Sequence, residues 1–371
     1  MQLALTEDQT MIRDAAQSYL ADASDSAAVR RAMASEHGFD SKVWQTIAEE
    51  LGWCGVAIDE AYDGLGLGAT ELVHIQEQAG YRLLCAPFFS TVCLAANLIQ
   101  ALGSEAAKSE YLPKIAVGEL RATAPMSSVA DAWESTQIKA SKQQDQWLLS
   151  GSLNRVADAQ TADLLFVFAE VDQGVGLFAL PLNTEGIKVS PLDTWDATRR
   201  FSSVEISNAA AAMRCDEADL VEKSRKRAAA TTRLFIAAEQ LGAAQRCLDL
   251  TVEYTSERKQ FGRVIAGFQA VKHRCAQMMV QVEALRSAVY GAAALAAENP
   301  DTVTLEMECA MAKALASDTL FFCASEAIQL HGGVGFTWEY DPQLYFKRAR
   351  ASKQWMGDPS ALRATLADAL L

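Results

Sequence analysis

Two stretches between Arg225 and Phe336 bring together side chains that could handle a charged, aromatic ligand. One is Tyr254-Thr255-Ser256-Glu257-Arg258-Lys259-Gln260-Phe261-Gly262, the other Gln329-Leu330-His331-Gly332-Gly333-Val334-Gly335-Phe336. A guanidinium such as that of Arg258 can fork onto an anion, and a ring such as that of Phe261 can pack against another ring; the plainer alternatives are a salt-bridged Arg, a core Phe and a turn. Paired glycines let backbone amides come close to phosphate oxygens. A third group could move a proton. Glu239 lies about two turns beyond Thr232, on a helix face it shares with Phe235, Ile236, Gly242 and Ala243. Such a face would partly desolvate the carboxylate and raise its pKa, which suits a base working near neutral pH. The plainer alternative is a buried Glu paired with an arginine such as Arg246, or one lining a pocket.

The elements that must carry these groups are legible as apolar stripes. Leu234, Ala237, Leu241, Ala244 and Leu248 mark one helix, and Val271, Cys275, Met278, Val282, Leu285 and Val289 mark another. The turn Glu298-Asn299-Pro300 separates the second from a third helix at about 302–330; a shorter helix around 342–353 and a last one from Asp358 follow. Upstream, Thr6-Glu7-Asp8-Gln9 fits a capping box, so the first helix starts near Glu7. Helical patterns continue over 41–51, 69–83, 91–102 and 105–117. They are interrupted by the glycine-rich turn Tyr62-Asp63-Gly64-Leu65-Gly66-Leu67-Gly68, which follows no clear strand and reads as a helix connection rather than a phosphate cradle. From Arg121 to about Asn208 the texture changes to short runs with β-rich residues at 147–149, 164–168, 177–180, 187–189 and 204–206, set off by Gly, Asn and Asp. The order helices, strands, helices shows no βαβ alternation, which argues against a doubly wound dinucleotide fold.

Composition narrows the function class. The chain has 371 residues, 50% of them hydrophobic, enough for two or three domains without covalent staples. A formal charge of -14 argues against nucleic-acid binding, which needs clustered Lys and Arg. The basic run Lys223-Ser224-Arg225-Lys226-Arg227 reads first as a solvated helix start or linker and second as a contact for a phosphorylated ligand. Eight cysteines form no CxxC pair and no Cys/His cluster, so neither a metal site nor a redox dithiol is expected, and they read as small core residues of a reducing cytoplasm. No leader pattern and no apolar window of roughly 18 residues is present, so a cytoplasmic protein without a membrane span is expected.

Taken together, Tyr254–Gly262, Phe268-Gln269-Ala270 and Gln329–Phe336, with Asp193 and Thr198-Arg199-Arg200-Phe201 late in the strand block, resemble an acyl-CoA dehydrogenase over nearly the whole chain. The resemblance implies a mainly α fold with a central β domain: an N-terminal helical domain over 1–120, a small β-barrel or sandwich over 121–219, and a C-terminal four-helix bundle over 220–371. It implies FAD, which takes a hydride from the β-carbon of an acyl-CoA while a carboxylate removes the α-proton, and electron transfer onward to an electron-transfer flavoprotein. It also implies that Arg258, Phe261, Gln269, Gln329, Gly332 and Gly333 serve the FAD of the neighbouring subunit in an oligomer.

The sequence departs from the family where the flavin ring and base are expected. The family's Thr-Glu-Pro…Gly-Ser-Asp and Trp-Ile-Thr-Asn-Gly segments correspond to Pro125-Met126-Ser127-Ser128-Val129-Ala130-Asp131 and Arg155-Val156-Ala157-Asp158-Ala159. A Thr hydroxyl and a Trp plane are thereby replaced by Ala157 and Arg155, which cannot do the same work. Met356 stands where many members carry the catalytic Glu, and Thr232, before Arg233, where others do. The remaining candidate bases are Glu239 and Asp358, the latter equally suited to cap the last helix. This asymmetry points to one subunit of a heteromeric, tetrameric enzyme with a paralogous partner, a branch of the family that handles bulky acyl groups such as steroid side chains. The alternatives are a homotetrameric dehydrogenase using Glu239 as base, and a non-catalytic acyl-CoA-binding or scaffold subunit.

Overall fold

The computed structural model describes residues 5–102, 104–126, 138–144, 146–172, 174–215 and 218–370. Helix α1 (Glu7–Ala23) begins at the expected capping box, with Thr6 Oγ1 accepting from the Gln9 amide at 3.1 Å and Gln9 Oε1 accepting from the Thr6 amide at 3.1 Å. After α2 (Ser26–Ala34) and α3 (Ser41–Gln45), a π-helical turn runs over Thr46–Glu50. Helix α4 (Ala69–Tyr81) is followed by a second π-helical segment, Phe89–Ala96, which passes directly into α5 (Asn97–Leu102), and then by α6 (Glu105–Ala116).

The strands are β1 (Ala122–Thr123), β2 (Ile138–Gln143), β3 (Gln146–Ala157), β4 (Leu164–Val171), β5 (Gly174–Pro181), β6 (Ile187–Pro191) and β7 (Phe201–Cys215). Their order is β1-β4-β2-β3-β7-β5, and β5 also pairs with β4, so the sheet returns on itself as a small barrel, with β6 added outside on β7. Leu149, Val167, Phe178, Leu180, Val204 and Ile206 fill its interior. Strand β3 is longer than its apolar run predicted because register shifts between Leu149 and Gly151 and between Leu153 and Val156 break the alternation.

Helix α7 (Ala218–Glu257) is the axis of the remainder. The hairpin β8 (Lys259–Gln260) and β9 (Arg263–Val264) leads into α8 (Gln269–Ala297), α9 (Thr302–His331), α10 (Pro342–Ser352) and α11 (Pro359–Leu370). Helices α4, α8, α9 and α10 all pack on α7, giving the expected mainly α architecture with a C-terminal bundle. Two glycines set the closest crossing: a Cβ on Gly80 would overlap the Glu239 carbonyl, and one on Gly242 the Glu77 carbonyl. Backbone touches backbone there, which presses the turn carrying Glu239 against α4.

Candidate active site

Glu239 sits at the meeting point of three segments. From α7 its Oε2 accepts from Arg199 Nη2 at 2.8 Å, and its Oε1 accepts from Arg348 Nη1 of α10. Arg348 continues the chain of contacts, with Nε donating to Asp196 Oδ2 at 2.7 Å and Nη2 to Thr198 Oγ1 at 2.6 Å. The Arg199 guanidinium lies 4.4 Å from the Phe89 ring centroid and 4.8 Å from that of Trp355, and its Nη1 is buried without a hydrogen-bond partner. Burial alone would push the Glu239 carboxyl up, but Arg199 and Arg348 outweigh it and hold the carboxyl below the ordinary range. This overturns the expectation of a raised pKa. The arginine partners also differ from the one expected, since Arg246 instead meets Glu253 at 2.9 Å and lies over the Tyr81 ring. A carboxylate held by two guanidiniums is a weaker base than one whose pKa burial has raised.

The other base positions are equally committed. Met356 is 0% exposed. Its carbonyl accepts from Arg233 Nε at 2.9 Å, while Lys313 Nζ donates to the Lys353 carbonyl at 2.7 Å and the Gly357 carbonyl at 2.5 Å. Arg233 and Lys313 thus clamp the backbone of the loop at 353–357 by donating to its carbonyls, and burial pushes the Lys313 ammonium down to about 7. Thr232 Oγ1 donates to the Cys93 carbonyl at 3.1 Å, tying α7 to the π-helical segment. Asp358 Oδ1 accepts from the amides of Ser360 and Ala361 at 2.8 and 3.2 Å, the geometry of a cap on α11. The carboxyl that sequence reasoning passed over is Asp158. It is bonded by Ser90 Oγ at 2.7 Å, and burial raises its pKa against the pull of Arg199.

In front of Trp355 lies a cavity of about 340 Å³, walled by Met126, Arg155, Trp195, Phe201 and Lys347 among others. Ala157, at the position of the expected flavin-facing hydroxyl, is buried and its carbonyl accepts from Thr123 Oγ1 at 2.7 Å. Ser127 to Asp131 lie outside the described residues.

The second set of candidate residues faces outward. Phe261 is 91% exposed at the tip of the β8–β9 hairpin, and Arg258, Gln269, Gln329, Gly332 and Gly333 are exposed as well. Tyr254 stacks on His331 with ring centroids 4.3 Å apart, which joins the end of α7 and its hairpin to the end of α9 and its glycine turn. A Cβ built on Gly262, Gly332 or Gly333 meets nothing within 4 Å, so the backbone there is open to an incoming group. An exposed fork, an exposed ring and open glycine backbone fit the pyrophosphate and aromatic parts of FAD.

Two features of the sequence that suggested phosphate binding are consumed internally. The amides of Leu65, Gly66 and Leu67 donate to the carbonyls of Gly55, Ile58 and Val56 at 2.8, 2.8 and 3.0 Å, so the glycine-rich turn is a helix connection. In the basic run, Arg225 and Lys226 pair with Glu222 at 2.6 and 3.1 Å, and Arg227 donates to the Pro300 carbonyl at 3.0 Å. Among the described residues no helix is long and apolar enough to cross a membrane.

Residues 6–119 match the family model for the acyl-CoA dehydrogenase N-terminal domain and residues 224–371 that for the acyl-CoA dehydrogenase C-terminal domain. The chain is similar to acyl-CoA dehydrogenase IpdE2 of Mycolicibacterium smegmatis, 31% identical over 355 residues that make up 96% of each chain. It is 32% identical over 320 residues to glutaryl-CoA dehydrogenase of Desulfococcus multivorans, covering 81% of this chain and 80% of that one. Among solved structures, the Tcur3481-Tcur3483 steroid acyl-CoA dehydrogenase superposes with a TM-score of 0.87 at 27% identity, covering 98% of this chain and 97% of the other.

Proposed function

The chain belongs to the acyl-CoA dehydrogenase family, and from that premise we propose that it is one subunit of a heteromeric, tetrameric dehydrogenase, lending FAD contacts to a paralogous neighbour. FAD, when bound, supplies the hydride acceptor for α,β-desaturation of an acyl-CoA thioester. In this reading Arg258 forks onto the pyrophosphate, Phe261 packs on a ring, the amides at Gly332 and Gly333 face phosphate oxygens, and Gln269 and Gln329 offer amide groups to the same cofactor. None of these residues moves a proton. The α-proton is taken by a carboxylate of the partner, and the electrons leave to an electron-transfer flavoprotein.

One contrast supports the reading. Phe261 is 91% exposed beside open glycine backbone, while Glu239 is locked between two arginines and buried Met356 stands at the usual base position. The contacts offered outward are intact and those needed inward are not. The steroid relative, whose name pairs two chains, supports both a heteromer and a bulky acyl substrate. Purifying the chain alone and together with each acyl-CoA dehydrogenase homologue of its source genome tests the proposal. Flavin and turnover are expected only in a mixed assembly; a yellow homomer that desaturates an acyl-CoA would refute it.

A further inference from the structure

The buried ion cluster has a second consequence, and it concerns access rather than proton transfer. Phe89 opens the π-helical segment, and such insertions are uncommon and tend to re-aim side chains at functional places. Its ring and that of Trp355 have centroids 6.2 Å apart, tilted by 35°, and the planar Arg199 guanidinium lies against both. Trp355 precedes Met356, the position at which the proposed reading puts the family's base, and in that reading a thioester would lie beside these rings, where Arg199 packs. Phe89, Arg199, Phe201, Glu239, Arg348 and Trp355 are each 7% exposed or less. Of these, Phe201 and Trp355 line the cavity, and Phe89, Arg199 and Arg348 pack against Trp355.

Within this cluster two guanidiniums, Arg199 and Arg348, meet two carboxylates, Glu239 and Asp196, and the buried Asp158 carboxyl lies close enough to feel Arg199. The carboxylate ion-paired with Arg199 among the described residues is that of Glu239. We infer that Arg199 is a built-in occupant of this chain's own acyl slot, and that Glu239 is the positioning residue that keeps it there. An arginine suits this place because its flat face packs on aromatic rings as a planar ligand would, while its edge is held by a carboxylate.

The inference rests on the proposed function for the position of the slot, but its readout is thioester binding rather than flavin content. The probe is octanoyl-CoA, titrated calorimetrically into the purified full-length assembly. Wild type is expected to bind it on every second chain. The double variant Arg199→Ala/Glu239→Gln removes one charge of each sign and leaves the Arg348–Asp196 pair, and is expected to bind it on every chain. Arg199→Lys keeps a charge beside Glu239 but gives up the flat face, and is expected to show the same extra site at lower affinity. Wild type binding a thioester on every chain overturns the inference, as does a folded variant of either kind that gains no site. Flavin on every chain of the mixed assembly with thioester on every second chain would sink the reading that this chain gives its flavin contacts away and leave this one standing.

Discussion

Replacing Glu239 by Gln tests whether its carboxylate is a structural anion or a proton acceptor, because the two readings differ in sign. At 2.8 Å from Arg199, unit charges attract by about 6 kcal/mol at an effective dielectric constant of about 20. Much of that is offset by the several kcal/mol needed to dehydrate each ion. Removing one partner forfeits the attraction and leaves the other charge buried, so Glu239→Gln is expected to cost about 3–5 kcal/mol at pH 7. The dependence on pH has a definite direction. Arg199 and Arg348 outweigh burial and hold the folded carboxyl below its ordinary range, so it binds its proton less readily folded than unfolded. Its stabilisation is complete above the unfolded value of about 4.3 and fades as pH falls through the lower folded value. Urea unfolding at pH 7.5 should therefore separate variant from wild type widely, and unfolding at pH 3.5 should narrow the gap. A variant as stable as wild type at pH 7.5, or more stable, would mean that the carboxyl is held protonated and would refute the reasoning.

Gly242→Ala should destabilise the chain by about 1–3 kcal/mol or more, as overpacking does, because its Cβ would overlap the Glu77 carbonyl across the α4–α7 crossing; thermal unfolding reads this directly. Phe261→Ala should leave stability within about 0.5 kcal/mol, as for most surface changes, yet lower flavin retention of the mixed assembly, measured by absorbance after gel filtration. Lys313 is pushed by burial down to about 7, so the unfolded state binds more protons between pH 7 and about 10 and stability rises with pH there. Lys313→Met should flatten that rise in urea midpoints taken across the range.

Local features of the sequence carried over well where the physics is local. The Thr6 and Gln9 box, the stripes of α7 and α8 and the turn before α9 follow from capping and a period of 3.6 residues, which neighbours in sequence decide. The motifs around Arg258 and Gly332 stand out by their resemblance to a family pattern, not by periodicity. Glu239 shows where such reasoning stops. Its helix face correctly announced burial, but its partners come from 40 and 109 residues away, and only the meeting of α7, α10 and the stretch before β7 brings them to it. Periodicity reports that a side chain is inside, not what it meets there. The π-helical segment at Phe89–Ala96 was read as part of an ordinary helix, because its wider hydrogen-bond step leaves no mark in an apolar run. Asp158 was hidden likewise, since its raised pKa comes from tertiary burial, against the pull of Arg199 and the hydrogen bond from Ser90.

The central claim is that this chain gives its flavin contacts away and holds no flavin of its own. FAD released from the purified, active assembly by acid and counted against total chain tests it most directly. The account predicts one FAD for every two chains, and one FAD on every chain would contradict it.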